Sequence, residues 1–136
     1  MPRRWLFKTE PGEYSFADLE RDKKAVWDGV SNNLALKNLR EVRLGDEILI
    51  YHTGDEKKLV GLAEAISDPY PDPHENDEKL VAVKLKPRRR FKTPMTLTEI
   101  KQLDGLSDFD LVRLPRLSVM PVSKEHWAIL EDKLNA

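Results

Sequence analysis

Trp27 and Asp28, with Asn32 and Asn33 close behind, place an aromatic plane, an acid and two amides within one short stretch. A flat indole can stack on a flipped base, a contact worth about 1–3 kcal/mol, and neighbouring amides can read a Watson–Crick edge. The same residues have plainer uses. A tryptophan seals a core, and Asn32 or Asn33 caps the helix that follows; with one Asn capping, the other is left free. Lys8, Thr9 and Glu10 end an apolar run and together offer donors and acceptors for a polar ligand. Tyr51 and His52 close a second such run and Ser118 lies in a third, and strand ends commonly supply pocket residues. Tyr51 reads first as a structural tyrosine with its hydroxyl tied down, and His52 as a pocket residue.

A different chemistry is carried by Lys84, Lys86, Arg88, Arg89, Arg90 and Lys92, which follow one another with no acid among them. They suit a run of phosphates bound with salt-dependent affinity, and equally a strand edge kept charged against aggregation. The acidic stretch 68–78 would repel a phosphodiester backbone and is expected to lie away from this track.

Covalent and metal chemistry find little to work with. His52, His74 and His126 are scattered, there is no cysteine, and no HExxH, Gly-rich phosphate loop or GxSxG elbow is present. His52 could be paired on paper with Asp46 or Glu10, yet nothing places a nucleophile beside it. No metal and no cofactor are therefore expected, and a hydrolase-type enzyme is the least supported reading. The lack of cysteine fits a reducing compartment, and no apolar run approaches a membrane span, so a cytoplasmic monomer is expected. With 23 basic against 24 acidic residues, total charge says little about partners; only its distribution can.

The elements that must position these groups follow from punctuation and periodicity. Residues 5–9 read as a strand stopped by Glu10-Pro11-Gly12. Ser15 caps a short helix reaching Asp22, with Asp18 in the capping-box place. A second helix spans 33–42. Residues 47–52, around Ile48-Leu49-Ile50-Tyr51, and 58–67 form a hairpin, in which Gly61 admits a close approach. The alternating prolines at 69, 71 and 73 make a rigid loop, since each biases its predecessor away from helix. Residues 80–87 alternate Val81, Val83 and Leu85 with Ala82, Lys84 and Lys86, the pattern of a half-buried strand with a basic face. A short helix over 98–103, a strand over 117–122 and a helix capped by Ser123 follow, with Trp5 and Trp127 as core plugs. No repeat or linker interrupts the chain. One domain over residues 1–136 is expected, of α+β class, with a curved mixed sheet or open β-barrel flanked by short helices.

Five segments in order resemble the EVE family over nearly the whole chain: Trp5-Leu6-Phe7-Lys8-Thr9-Glu10-Pro11, Trp27-Asp28-Gly29-Val30, Gly45-Asp46 with Tyr51-His52-Thr53, Val60-Gly61-Leu62-Ala63-Glu64, and Arg116-Leu117-Ser118-Val119-Met120-Pro121-Val122. The sequence departs at Ser31, where many relatives carry Arg. The resemblance implies a PUA-like fold, a group that includes PUA, ASCH and YTH domains and tends to bind nucleic acid. The stretch from Val26-Trp27 to Ala63 also looks like the YTH core, in which a tryptophan after the first helix forms part of an aromatic cage around a methylated base. The function so implied is non-catalytic binding of DNA or RNA through a modified base, modified cytosine included. Lys8, Thr9, Glu10, Trp27, Asp28, Asn32, Asn33, Tyr51, His52 and Ser118 would hold the base, and Lys84, Lys86, Arg88, Arg89 and Arg90 the phosphates. A shared fold does not by itself fix function. A protein-interaction module using the 69–73 loop, or a small-ligand-binding module, stays open beside it.

Overall fold

The computed structural model describes residues 2–75, 77 and 79–134. The chain begins with β1 (Arg4–Thr9), α1 (Phe16–Asp22), β2 (Ala25–Trp27), α2 (Asn33–Leu39), β3 (Glu47–His52) and β4 (Lys58–Ala65). It continues with β5 (Tyr70–Pro71), β6 (Val81–Thr96), α3 (Leu97–Lys101), α4 (Asp110–Arg113), β7 (Val119–Val122) and α5 (Lys124–Leu134). The strands form one mixed sheet in the order β2-β6-β4-β3-β1-β7, with β5 added against β6. The sheet curls strongly into a half-barrel flanked by the short helices, the α+β, PUA-like architecture expected. Among the described residues, no helix is long and apolar enough to cross a membrane.

Among the described residues, only β1 and β3 pair in parallel, from Arg4 opposite Glu47 to Thr9 opposite His52. Parallel neighbours need a crossover, and α1, β2 and α2 supply it. Trp5, Leu6 and Phe7 are consequently enclosed on both sides of the sheet, which is why β1 reads as an unbroken apolar run. α1 starts where it should: Ser15 accepts from the Asp18 amide and Asp18 accepts from the Ser15 amide, a complete capping box. Its Phe16 ring lies against β4 at Gly61, where an added Cβ would come within 2.5 Å of the ring. A backbone or a ligand is the close neighbour expected at Gly61; the structure places the Phe16 side chain there instead.

Three expectations are corrected. Helix α2 ends at Leu39, short of the expected 42. The 69–73 loop is not wholly irregular, because Tyr70 and Pro71 pair with Ala82 and Val81. The largest change is β6, which runs through 16 residues and passes both Pro87 and Pro94. Pro87 stands opposite Ala63, where the β4–β6 register shifts, and Pro94 falls between Arg90 and Met95, the two residues flanking a second shift. A proline lacks the ladder donor, and at such irregularities no ladder bond is required of it. The shifts also bend β6 so that one strand serves β2 at one end and β4 at the other.

The entry of β1 is fixed by Asp46, only 4% exposed. Its carboxylate accepts from the Trp5 indole Nε1 at 2.9 Å, the Arg3 amide at 3.0 Å and the Arg43 amide at 2.9 Å. Replacing Asp46 with Ala would leave the buried indole N–H and the turn amides without acceptors. We expect a loss of about 3 kcal/mol or more, read as a lowered urea midpoint with an unchanged m-value.

Candidate functional site: a cavity at the end of the first strand

A cavity of about 660 Å³ opens where β1 ends, between that strand, β2 and the loop after β2. Lys8, Thr9 and Glu10 form one wall, Trp27, Asp28 and Asn32 another, and Ser118, just before β7, a third. Trp27 is half-buried, its ring 5.7 Å from that of Phe7 and 6.2 Å from that of Tyr14, which meets it edge-on at 79°. The indole therefore packs on the core through Phe7 and still contributes to the cavity lining, so the structural and the pocket reading of this residue both apply.

The polar groups are partly committed. Thr9 Oγ1 donates to the Tyr14 carbonyl at 2.6 Å, and the Lys8 ammonium donates to the Pro115 carbonyl at 2.7 Å. Burial lowers the Lys8 pKa from its usual value. Glu10 Oε1 accepts from the Gly12 amide at 3.1 Å, and its other oxygen lies where a side chain on Gly54 would have to go. Asn32 caps α2, its Oδ1 accepting from the Ala35 amide at 3.0 Å, while its Nδ2 has no acceptor among the described residues. One asparagine thus both caps and faces the cavity. Asn33, the first residue of α2, is not part of the lining.

Tyr14 and Asp22 also line the cavity, and nothing in their local sequence pattern marked them. They flank α1, which brings them together: the Tyr14 hydroxyl donates to Asp22 Oδ2 at 3.0 Å. Burial first, then this bond and the Asp22 charge, pushes the Tyr14 pKa up to about 12. Glu13 and Lys24 complete the charged lining, so four carboxylates, at Glu10, Glu13, Asp22 and Asp28, face two ammonium groups, at Lys8 and Lys24.

The loop after β2 is held by a residue of the acidic stretch. Gly29 turns the chain with φ of 73°, and its amide donates at 3.2 Å to Asp72, itself only 3% exposed. Asp72 also accepts from the His74 amide at 2.9 Å, and His74 Nε2 stands 3.5 Å from Asp28 Oδ2. The acidic stretch, expected to lie away from the basic track, instead adjoins the start of it: β5 pairs with Ala82 and Val81 of β6, and Asp72 reaches the loop after β2, while residues 76 and 78 lie outside the described residues.

Tyr51 and His52 do not line the cavity. Tyr51 is buried, with the Lys8 ammonium 5.8 Å from its ring centre, and burial raises its pKa. His52 Nε2 accepts from the Phe16 amide at 3.0 Å, one of the donors a helix start leaves unpaired. That bond assigns the ring proton to Nδ1, which faces Glu56 Oε1 at 2.9 Å. Parallel pairing with Thr9 places His52 beside the start of α1, where with Ser15, Phe16 and Glu56 it lines a separate, smaller cavity of about 270 Å³. On the basic strand, Arg88 pairs with Glu47 at 3.0 Å and Glu64 at 3.7 Å, and Arg90 pairs with Glu20. Lys84, Lys86 and Arg89 are exposed.

His52→Ala would orphan the Phe16 amide and cost about 1–3 kcal/mol of stability by urea denaturation. The folded variant should keep the ligand affinity of the parent. A specific loss of affinity at unchanged stability would return His52 to the site.

The geometry can be set beside known proteins. Residues 3–133 match the EVE domain family model. Thymocyte nuclear protein 1 of Mus musculus is 31% identical over 90% of this chain and 70% of its own length. A Rhodopseudomonas palustris protein solved by NMR superposes with a TM-score of 0.90 at 36% identity, covering 97% of this chain and 92% of the other. The human THYN1 protein, crystallised in complex with 5-methylcytosine containing DNA, superposes with a TM-score of 0.89 at 24% identity, covering 98% of each chain. By the family model and the mouse relative together, this chain belongs to the EVE domain family.

Proposed function

We propose that the domain binds a nucleic-acid strand by receiving one modified base in the cavity beside Trp27, and releases it unchanged. The observation that carries this reading is the pairing of a half-buried indole with a concave, polar-edged space of about 660 Å³. That volume lies within the range of small-molecule sites, and a nucleobase presents what such a wall can use: a flat face to stack and an edge to hydrogen-bond. The complex of the human family member with DNA containing 5-methylcytosine makes that base the first to test. Turnover has no support in the lining. The Thr9 and Tyr14 hydroxyls are engaged with the Tyr14 carbonyl and Asp22, and among the described lining residues no histidine accompanies the remaining hydroxyls, those of Ser31 and Ser118.

Trp27→Ala should reduce affinity for a 5-methylcytosine oligonucleotide by roughly 5- to 150-fold, the equivalent of about 1–3 kcal/mol of stacking, and erase its advantage over the unmodified strand. Trp27→Phe should retain part of both. Circular dichroism establishes that each variant is folded before affinities are compared. A folded Trp27→Ala protein that kept the full preference would show that the base goes elsewhere, and mass spectrometry detecting altered bases would replace binding by catalysis.

A further inference from the structure

The cavity is a poor place for a phosphate. Glu10, Glu13, Asp22 and Asp28 outnumber Lys8 and Lys24 in its wall, and the Lys8 ammonium already donates to the Pro115 carbonyl. A strand that delivers a base here must carry its charge past the rim. Lys24 is the remaining cation of the wall, and it immediately precedes β2.

β2 pairs with β6 antiparallel, Val26 opposite Lys84 and Trp27 opposite Val83. Cross-strand partners share a face, so Trp27 turns inward with Val83 while Val26, 40% exposed, turns outward with Lys84. Alternation puts Lys24 on the outward face with Val26, and Lys86 there with Lys84. Residues two apart on a strand are separated by about 6.7 Å, comparable to successive phosphates of an extended chain. Lys24, Lys84 and Lys86 are exposed, and among the described residues none has a carboxylate within salt-bridge distance. The Lys84 ammonium stands 5.8 Å from the centre of the Tyr70 ring, which adds an aromatic surface to the same patch. Farther along β6 Arg88 is paired with Glu47 and Glu64, and Arg90 with Glu20, while Arg89 and Lys92 are exposed.

We propose that the phosphodiester chain of the bound strand crosses the outer face of β2 and β6 on Lys24, Lys84 and Lys86, and that Arg88 and Arg90 take no part. The proposal rests on the nucleic-acid reading above and deepens it. It divides the basic run of the sequence in two and adds a lysine from a different part of the chain. It also gives the two surfaces a shared element: Lys24 and Val26, which line the cavity beside Trp27, stand on the outward face with Lys84.

The test is fluorescence anisotropy with a 5-methylcytosine oligonucleotide and its unmodified counterpart, each titrated at several salt concentrations. Replacing Lys24, Lys84 and Lys86 together with Gln should weaken both strands by the same factor. The slope of log K against log salt should fall in magnitude by roughly 2 to 3, at about 0.7 to 0.9 for each of the three lost phosphate contacts. Arg at the three positions should restore the slope, and Arg88→Gln with Arg90→Gln should leave it at the parent value. If the parent prefers the modified strand and the triple variant keeps the parent slope, the path is wrong while the base-binding reading stands; the lysines then serve only to keep the β2 edge charged. A slope lost in the arginine pair instead would equally overturn the path. A parent protein with no affinity for either oligonucleotide would overturn both.

Discussion

The carboxylate of Asp46 is the constraint on which the rest of the molecule depends. It receives the Trp5 indole, the Arg3 amide and the Arg43 amide, and so ties the start of β1 to the turn that leads into β3. A parallel pair has no hairpin to set its register, and here a buried side chain does it. With Arg4 placed opposite Glu47, Thr9 must fall opposite His52 at the far end of the ladder. His52 is thereby turned to the Phe16 amide, and Phe16 to the space above Gly61. Lys8, Thr9 and Glu10 then reach the cavity in one fixed arrangement. The site is positioned from the opposite end of its own strand.

A second buried carboxylate governs the other wall. Asp72 binds the Gly29 amide and the His74 amide, holding the turn that carries Asp28 to Asn32 against the β5 edge. Both walls are thus built from short segments whose polar atoms are half-used in supporting one another, as with the Asn32 carbonyl and the Thr9 hydroxyl. Groups restrained in this way lose little freedom when a ligand arrives, and the unused Asn32 Nδ2 keeps a defined direction. The carboxylates around them give the lining a negative bias, which suits a donor-bearing edge better than an anion.

Much of this was legible in the sequence because it is local. The capping box at Ser15 and Asp18, the cap at Asn32 and the apolar run of β3 each follow from a few neighbouring residues. So does the inward turn of Val83 with the outward turn of Lys84 and Lys86. The parts that were not legible depend on pairing between distant segments. Tyr14 and Asp22 become one unit only across the length of α1, with Trp27 beside them. Tyr51 and His52 end a strand as a pocket pair would, and the parallel register, which no local pattern encodes, places Tyr51 in the core and His52 beside α1, apart from the cavity at the end of β1. Pro87 reads as a strand end until the register shift in β4 supplies a place where its missing donor is not needed. Asp68 to Pro73 reads from its prolines as a rigid loop, and its pairing with β6 brings one of its acids, Asp72, into a structural bond.

The position of β1 also governs the order of assembly. The first strand in the sequence lies between β3 and β7, so its two ladders join residues 4–9 to residues 47–52 and 119–122. During synthesis Trp5, Leu6 and Phe7 wait without their second neighbour until residues 119–122 have emerged. Hairpins such as β3–β4 can close early, while the step that buries β1 carries a long loop-closure cost. An apolar strand left waiting is what a chaperone holds or an aggregate captures, so the same placement that makes β1 the centre of the sheet makes it the segment most exposed before the sheet exists.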